Sequence, residues 1–152
     1  MSDTKHNGED HDSAQIIRIA CRIIEQAIQD GASEIRLEPD ERLAYKWDKK
    51  SLEGVQRYLE TPGGDEAVAI GPGLTISYNV AGVWREVMPL PDYVREPLTR
   101  RFKLMADMDL TRTKMPQEGR IPIRYADVDY VLSVQTKPTP QGERVEMQFA
   151  TP

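Results

Sequence analysis

The sequence predicts an α+β fold, two helices packed on a mainly antiparallel sheet, and three observations predict it. Apolar residues recur every three or four positions in two stretches, one near the start and one near the middle. Short alternating runs bounded by Gly, Pro, Asn and Asp fill most of the remainder. Several of these runs are joined by links too tight for anything but antiparallel neighbours, Val80-Ala-Gly-Val83 being the clearest.

Taken in order, Ile16, Ile17, Ile19, Ala20, Ile23, Ile24, Ala27 and Ile28 define one broad apolar face of a first helix. Ser13 or Asp12 caps its start and Gly31 stops it. Glu34 to Glu38 alternates, with Ile35 and Leu37 on one side. Pro39-Asp40 ends that strand, and Arg42 to Trp47 reads as another with Leu43, Tyr45 and Trp47 on one face. Lys49 to Glu60 suits a short helix carrying Leu52, Val55, Tyr58 and Leu59, after which Thr61-Pro-Gly-Gly64 breaks the chain. Ala67 to Ile70 and Leu74 to Val80 are strands around a turn at Gly71-Pro-Gly73.

The hairpin at Val80 to Val83 leads into Trp84 to Met88, closed by Pro89 to Pro91. A second helix runs from about Asp92 to Met108, with Val94, Leu98, Phe102, Leu104 and Met105 inside and Arg100, Arg101 and Lys103 on its outer side. Pro97 falls in its first turns, where a missing N–H costs less. Arg120 to Tyr125, Val128 to Thr136 and Arg144 to Phe149 complete the sheet, linked by Ala126-Asp127 and the loop Pro138-Thr-Pro-Gln-Gly142.

Length and composition narrow the function. A chain of 152 residues is one domain, able to bury roughly 70% of its unfolded surface. With 20 Lys and Arg against 25 Asp and Glu, the net charge of -5 speaks against a nucleic-acid partner. Residues 1–12 form an acidic tail expected to be disordered, and no run approaches the roughly 20 apolar residues of a membrane span. Cys21, the single cysteine, reads as a small buried hydrophobe in a helix, and His6 and His11 sit in the tail, so neither a disulfide framework nor a metal set is expected. No histidine stands in the folded part to activate a nucleophile. Asp107 with Asp109 and Asp127 with Asp129 suit capping and solvation rather than acid–base work. Trp47 and Trp84 read as core aromatics.

Three separated segments carry a family likeness: Asp30-Gly-Ala-Ser-Glu-Ile-Arg-Leu-Glu-Pro39, Gly82-Val-Trp-Arg-Glu-Val-Met88, and Lys103 to Arg120 followed by Pro138-Thr-Pro-Gln-Gly-Glu-Arg-Val145. In this order and spacing they resemble the amino-terminal domain preceding the ATPase core in the GspE/PilB/PilT family of type II secretion and type IV pilus motors. The resemblance covers Ser13 to Met147 apart from an insertion at about residues 45–73, so the domain is 13–152. It implies a PAS-like sandwich. No G-x-x-x-x-G-K-[ST] occurs in the sequence, so no phosphate cradle and no cofactor are expected.

In the family, arginines on this domain's sheet reach phosphates bound to the neighbouring motor domain, the role of an arginine finger. Its hairpin pattern is approximately R-[IV]-D-G-x-[LW]-R, and the matching residues are Asn79-Val-Ala-Gly-Val-Trp-Arg85. Asn79 and Ala81 replace an arginine and an aspartate, and Arg85 alone remains as a trans phosphate contact, if it is more than a solvated strand charge. The later family run D-x-R-V-S-T falls on Val131 to Thr136, so another aspartate and another arginine, at Val131 and Ser133, are replaced. Gly82, Pro116, Gln117, Gly119, Arg120, Gly142, Glu143 and Arg144 match.

The scaffold is kept while polar positions change. This combination implies a non-catalytic accessory or regulatory subunit that binds a secretion or pilus motor ATPase or its membrane platform. The alternative is half of a split or truncated ATPase whose Arg85 serves the neighbouring subunit's ATP site; a small-molecule sensor ranks third. Arg112, Lys114, Arg120 and Arg144 are the interaction residues, the first three forming with Arg124 a basic cluster whose plainer use is a solvated face. The location expected is the cytoplasm, or the inner face of the membrane through partners, with no direct insertion; self-association is left open.

Overall fold

The computed structural model describes residues 13–46 and 68–150. The acidic tail, Trp47, the short helix expected over Lys49 to Glu60 and most of the expected insertion lie outside the described residues.

Helix α1 spans Ala14–Gln29, and Ser13 caps it by accepting the Ile16 N–H on its hydroxyl at 3.2 Å. Ile16, Ile19, Ala20, Ile23, Ile24 and Ala27 are buried, the apolar face the spacing predicts. Gly31 follows at φ +74°, a left-handed turn that glycine enters without a Cβ penalty. Strands β1 (Ala32–Lys46), β2 (Val68–Val80) and β3 (Val83–Pro91) come next, then helix α2 (Asp92–Met105), then β4 (Gln117–Tyr125), β5 (Val128–Thr139) and β6 (Gly142–Ala150).

Among the described residues, six strands form one antiparallel sheet in the order β3-β2-β1-β6-β5-β4. Two three-stranded meanders are joined through the central pair, where Ile35 faces Met147 and Leu37 faces Val145. Alternation sends Ile35, Leu37, Leu74, Ile76, Tyr78, Leu132, Val134, Val145 and Met147 toward the two helices. Against them pack the α1 isoleucines and Val94, Leu98 and Phe102 of α2. Each such side chain contributes about 1.5–3 kcal/mol on burial. The Tyr78 hydroxyl donates to the Ile23 carbonyl at 2.6 Å, tying β2 to α1 inside this core. Burial, with repulsion from Asp30 second, pushes its phenol pKa well above the ordinary tyrosine range.

Two expectations fail because tertiary pairing overrides local breakers, and a third fails on the second helix. Pro39-Asp40 does not end β1; the strand continues with an irregularity between Asp40 and Leu43. Pairing to β6 stops at Leu37, so a proline two residues on interrupts no ladder on that side. Gly71-Pro-Gly73 is likewise no turn, because Gly71 and Gly73 pair with Leu43 and Asp40 inside a continuous β2. On α2, which ends at Met105 rather than Met108, Leu104 is 43% exposed and Lys103 only 1%, the reverse of the expected sides.

Candidate functional site

Two groups of residues emerge when the matched motifs are placed on the fold. The first is a knot where α2 ends. Lys103 carries its ammonium into the interior, 3.0 and 3.1 Å from the two Glu143 carboxylate oxygens, and also donates to the Arg112 carbonyl at 2.8 Å. A lysine is buried only when paired, and Glu143, at the start of β6, is that pair. β4 passes so close to the end of α2 that a Cβ at Gly119 would collide with the Ala106 carbonyl oxygen. Gln117 stitches the intervening loop: its amide donates to the carbonyls of Asp109 at 2.9 Å and Arg112 at 3.1 Å and accepts the Asp109 N–H at 2.9 Å. The Asp109 carboxylate accepts from the Thr111 hydroxyl and N–H, and these bonds hold its pKa below the usual carboxylate range.

The second group lies on the sheet face turned away from the helices. Cross-strand registers line up one row as Arg120, Ser133, Gln148, Glu34, Asn79 and Trp84. Asn79 and Ser133, where the resemblance implies arginines, thus stand in the same row, three strand spacings or about 14 Å apart. Between them is an acid, since the Asn79 amide donates to Glu34 at 3.2 Å. Beside Ser133 opens a shallow depression of about 110 Å³, rimmed by Glu34 and Glu146. Arg144 is held by Glu38 and Glu146, each at 3.2 Å, and Lys137 joins Glu146 at 3.2 Å. Trp84 is not a core aromatic. It is 36% exposed and stacks on the Arg36 guanidinium, 4.0 Å from the ring centroid.

Arg85 is placed apart from this row. It pairs across the strands with Tyr78, whose side chain points to α1, so Arg85 leaves the sheet on the helix side, at the exposed edge of β3. The hairpin that carries it turns at Ala81 and Gly82 with φ of +55° and +82°. Arg112, Lys114, Arg120 and Arg124 do not converge either. Arg112 pairs with Asp109 on the loop, Arg124 with Asp129 at 2.8 Å, and Lys114 lines a cleft beside α2. Only Arg120 and Arg144, among the interaction residues, share the open face. Sequence reasoning missed the Lys103–Glu143 pair; the signal was there in the phase of Lys103, four residues after Thr99 and five after Leu98, on the flank of the buried face.

The sequence profile of the Type II/IV secretion system protein family matches residues 67–152, more than half of the chain. The chain belongs to that family. Among its relatives, the type II secretion system protein HxcR of Pseudomonas aeruginosa is 30% identical over 138 residues, which cover 91% of this chain and 23% of HxcR. The type II secretion system ATPase E of Vibrio cholerae is 29% identical over 93% of this chain and 22% of its own length. The type IV pilus assembly ATPase PilB of Myxococcus xanthus is 28% identical over 91% of this chain and 19% of its own. The chain therefore spans about a quarter or less of the curated relatives it matches and corresponds to the amino-terminal region of secretion and pilus ATPases. No helix among the described residues is long and apolar enough to cross a membrane.

Proposed function

We propose that this member of the secretion family is a non-catalytic accessory or regulatory module that docks on a type II secretion or type IV pilus motor ATPase, or on the motor's membrane platform, in the cytoplasm. One observation carries the reading. The structure has a buried, fully paired knot at the end of α2, while the row of the open face holds Asn79 and Ser133 where the resemblance implies guanidiniums, with Glu34 between them. A row offering Arg120 and Glu34 is close to neutral, and the developing charge on a transferring phosphoryl group is stabilised by cations rather than by amides and hydroxyls. The split-ATPase reading rests on Arg85, whose projection on the helix side of β3 gives it no company from Arg120 or Arg144.

The test is co-purification with the motor ATPase and platform protein of the same cell, followed by motor turnover with and without the chain. Binding should be retained, and turnover unchanged, when Arg85→Ala is introduced. Failure to bind either component sinks the docking reading. Loss of motor stimulation in Arg85→Ala would instead make the domain a trans-acting catalytic element.

A further inference from the structure

A cleft of about 610 Å³ opens between α2, the loop after it and the β5–β6 turn, away from the open face of the sheet. Three cations meet there: Arg95 and Arg100 from α2, and Lys114 from the loop. Arg95 is engaged, with its Nε 2.7 Å from Asp92, and its guanidinium lies close against Gly142, where an added Cβ would be 2.6 Å from Nη1. Arg100 and Lys114 have no acidic partner among the described residues. Thr99, at 5% exposure, lines the same cleft with a hydroxyl that has no hydrogen-bond partner among the described residues, and the Arg100 Nε is likewise shielded and unpartnered among them. Buried polar atoms are normally paired, so two orphans on one wall point to a ligand that supplies the missing acceptors.

The acids of the cleft do not cancel this charge. Glu143 is neutralised by Lys103 from behind, and Glu96 is the remaining carboxylate. We propose that the cleft binds a small phosphate-bearing molecule, with Arg100 and Lys114 as its charge partners and the Thr99 hydroxyl as a buried donor. A phosphate monoester carries about 1.5–2 negative charges at neutral pH, which Arg100 and Lys114 can face together, and a guanidinium fork suits its oxygens. Pro138 and Pro140 give the body of the ligand an apolar wall. The volume falls within the range of small-molecule sites.

Titration with inorganic pyrophosphate at low salt, followed by amide NMR shifts and calorimetry, tests the proposal. Saturable shifts should concentrate at residues 95–100, 113–114 and 138–143. Arg100→Gln and Lys114→Gln should each weaken binding about tenfold, as loss of a charge-assisted hydrogen bond does, and Thr99→Val should weaken it less while leaving the melting curve intact. Arg120→Gln, on the open face, should leave the affinity unchanged. Absence of saturation, or equal loss in Arg120→Gln, overturns the site. Malonate binding as tightly as pyrophosphate overturns the phosphate assignment.

Discussion

The knot at the end of α2 and the open face of the sheet both carry residues on which the family resemblance rests, yet they obey different physics. In the knot, Lys103, Glu143, Gly119 and Gln117 are packed against backbone, with an ammonium at 0% side-chain exposure. On the open face, Arg144, Glu38, Glu146 and Lys137 keep between 26% and 44% of their side-chain surface in water. Charge in the first place is part of the fold's construction; charge in the second is nearly free to change. A sequence can thus retain one set and lose the other without losing its shape, and a matched motif does not by itself carry the family's chemistry.

The sharpest way to break this contrast is to remove one member of the buried pair. Lys103→Met should destabilise the protein by about 3–5 kcal/mol, because the Glu143 carboxylate is left shielded without its cation and the Arg112 carbonyl loses its donor. Adding Glu143→Leu should restore part of the loss, since two apolar groups leave no stranded charge. Denaturant melts of the two variants measure this; a loss under 1 kcal/mol for Lys103→Met would show that the pair is not what holds α2 to β6.

Gly119→Ala attacks the same knot through volume. The new methyl would meet the Ala106 carbonyl oxygen and sit 3.0 Å from Ala106 Cβ, so β4 must move away from the end of α2. Overpacking of this kind costs about 1–3 kcal/mol. An unchanged melting temperature would mean that the crossing is loose, and the glycine would then need another explanation.

Much of this was legible in the residues alone, and the exceptions are instructive. The cap at Ser13, the α1 face and the Ala81-Gly82 hairpin follow from local patterns, and local patterns are what a sequence displays most directly. Pro39 and Gly71-Pro-Gly73 read as breaks because propensity is local, whereas the β1–β2 ladder that runs through them is set by partners 28 to 35 positions away. Lys103 read as exposed because lysines usually are; its partner lies 40 residues on, at the start of another strand. The row uniting Asn79 with Ser133 was hidden for the same reason, since no spacing in the chain reveals that β2 and β5 belong to one sheet with β1 and β6 between them.

The helix-covered side makes a pH-dependent prediction as well. The fold holds the Tyr78 phenol protonated, while in the unfolded chain it ionises at about pH 10. Above that pH the unfolded state binds fewer protons than the native one, so the stability contributed by Tyr78 falls as pH rises. Tyr78→Phe should therefore cost about 1 kcal/mol at neutral pH, for the lost bond to the Ile23 carbonyl. The gap between the two proteins should narrow above pH 10. A gap that widens with alkali would place the phenol in contact with a cation instead of in the apolar interior.

The smallest effect belongs to the open face, and it decides whether the contrast is real. Arg144 lies between Glu38 and Glu146, each at 3.2 Å, a geometry that on paper resembles the buried pair. Its side chain is 32% exposed, however, and Glu38 is 38% exposed, so water already solvates both charges and replaces most of what the pair supplies. Arg144→Gln should cost between about 0 and 1 kcal/mol, less still at high salt, where exposed pairs are screened. The same change should weaken docking to a motor or platform protein if this face meets an acidic partner, which makes binding the more sensitive readout. Should Arg144→Gln cost as much as Lys103→Met, the open face would have to be counted as part of the scaffold, and the freedom of its charged positions to change would no longer account for Asn79 and Ser133 standing where the resemblance implies arginines.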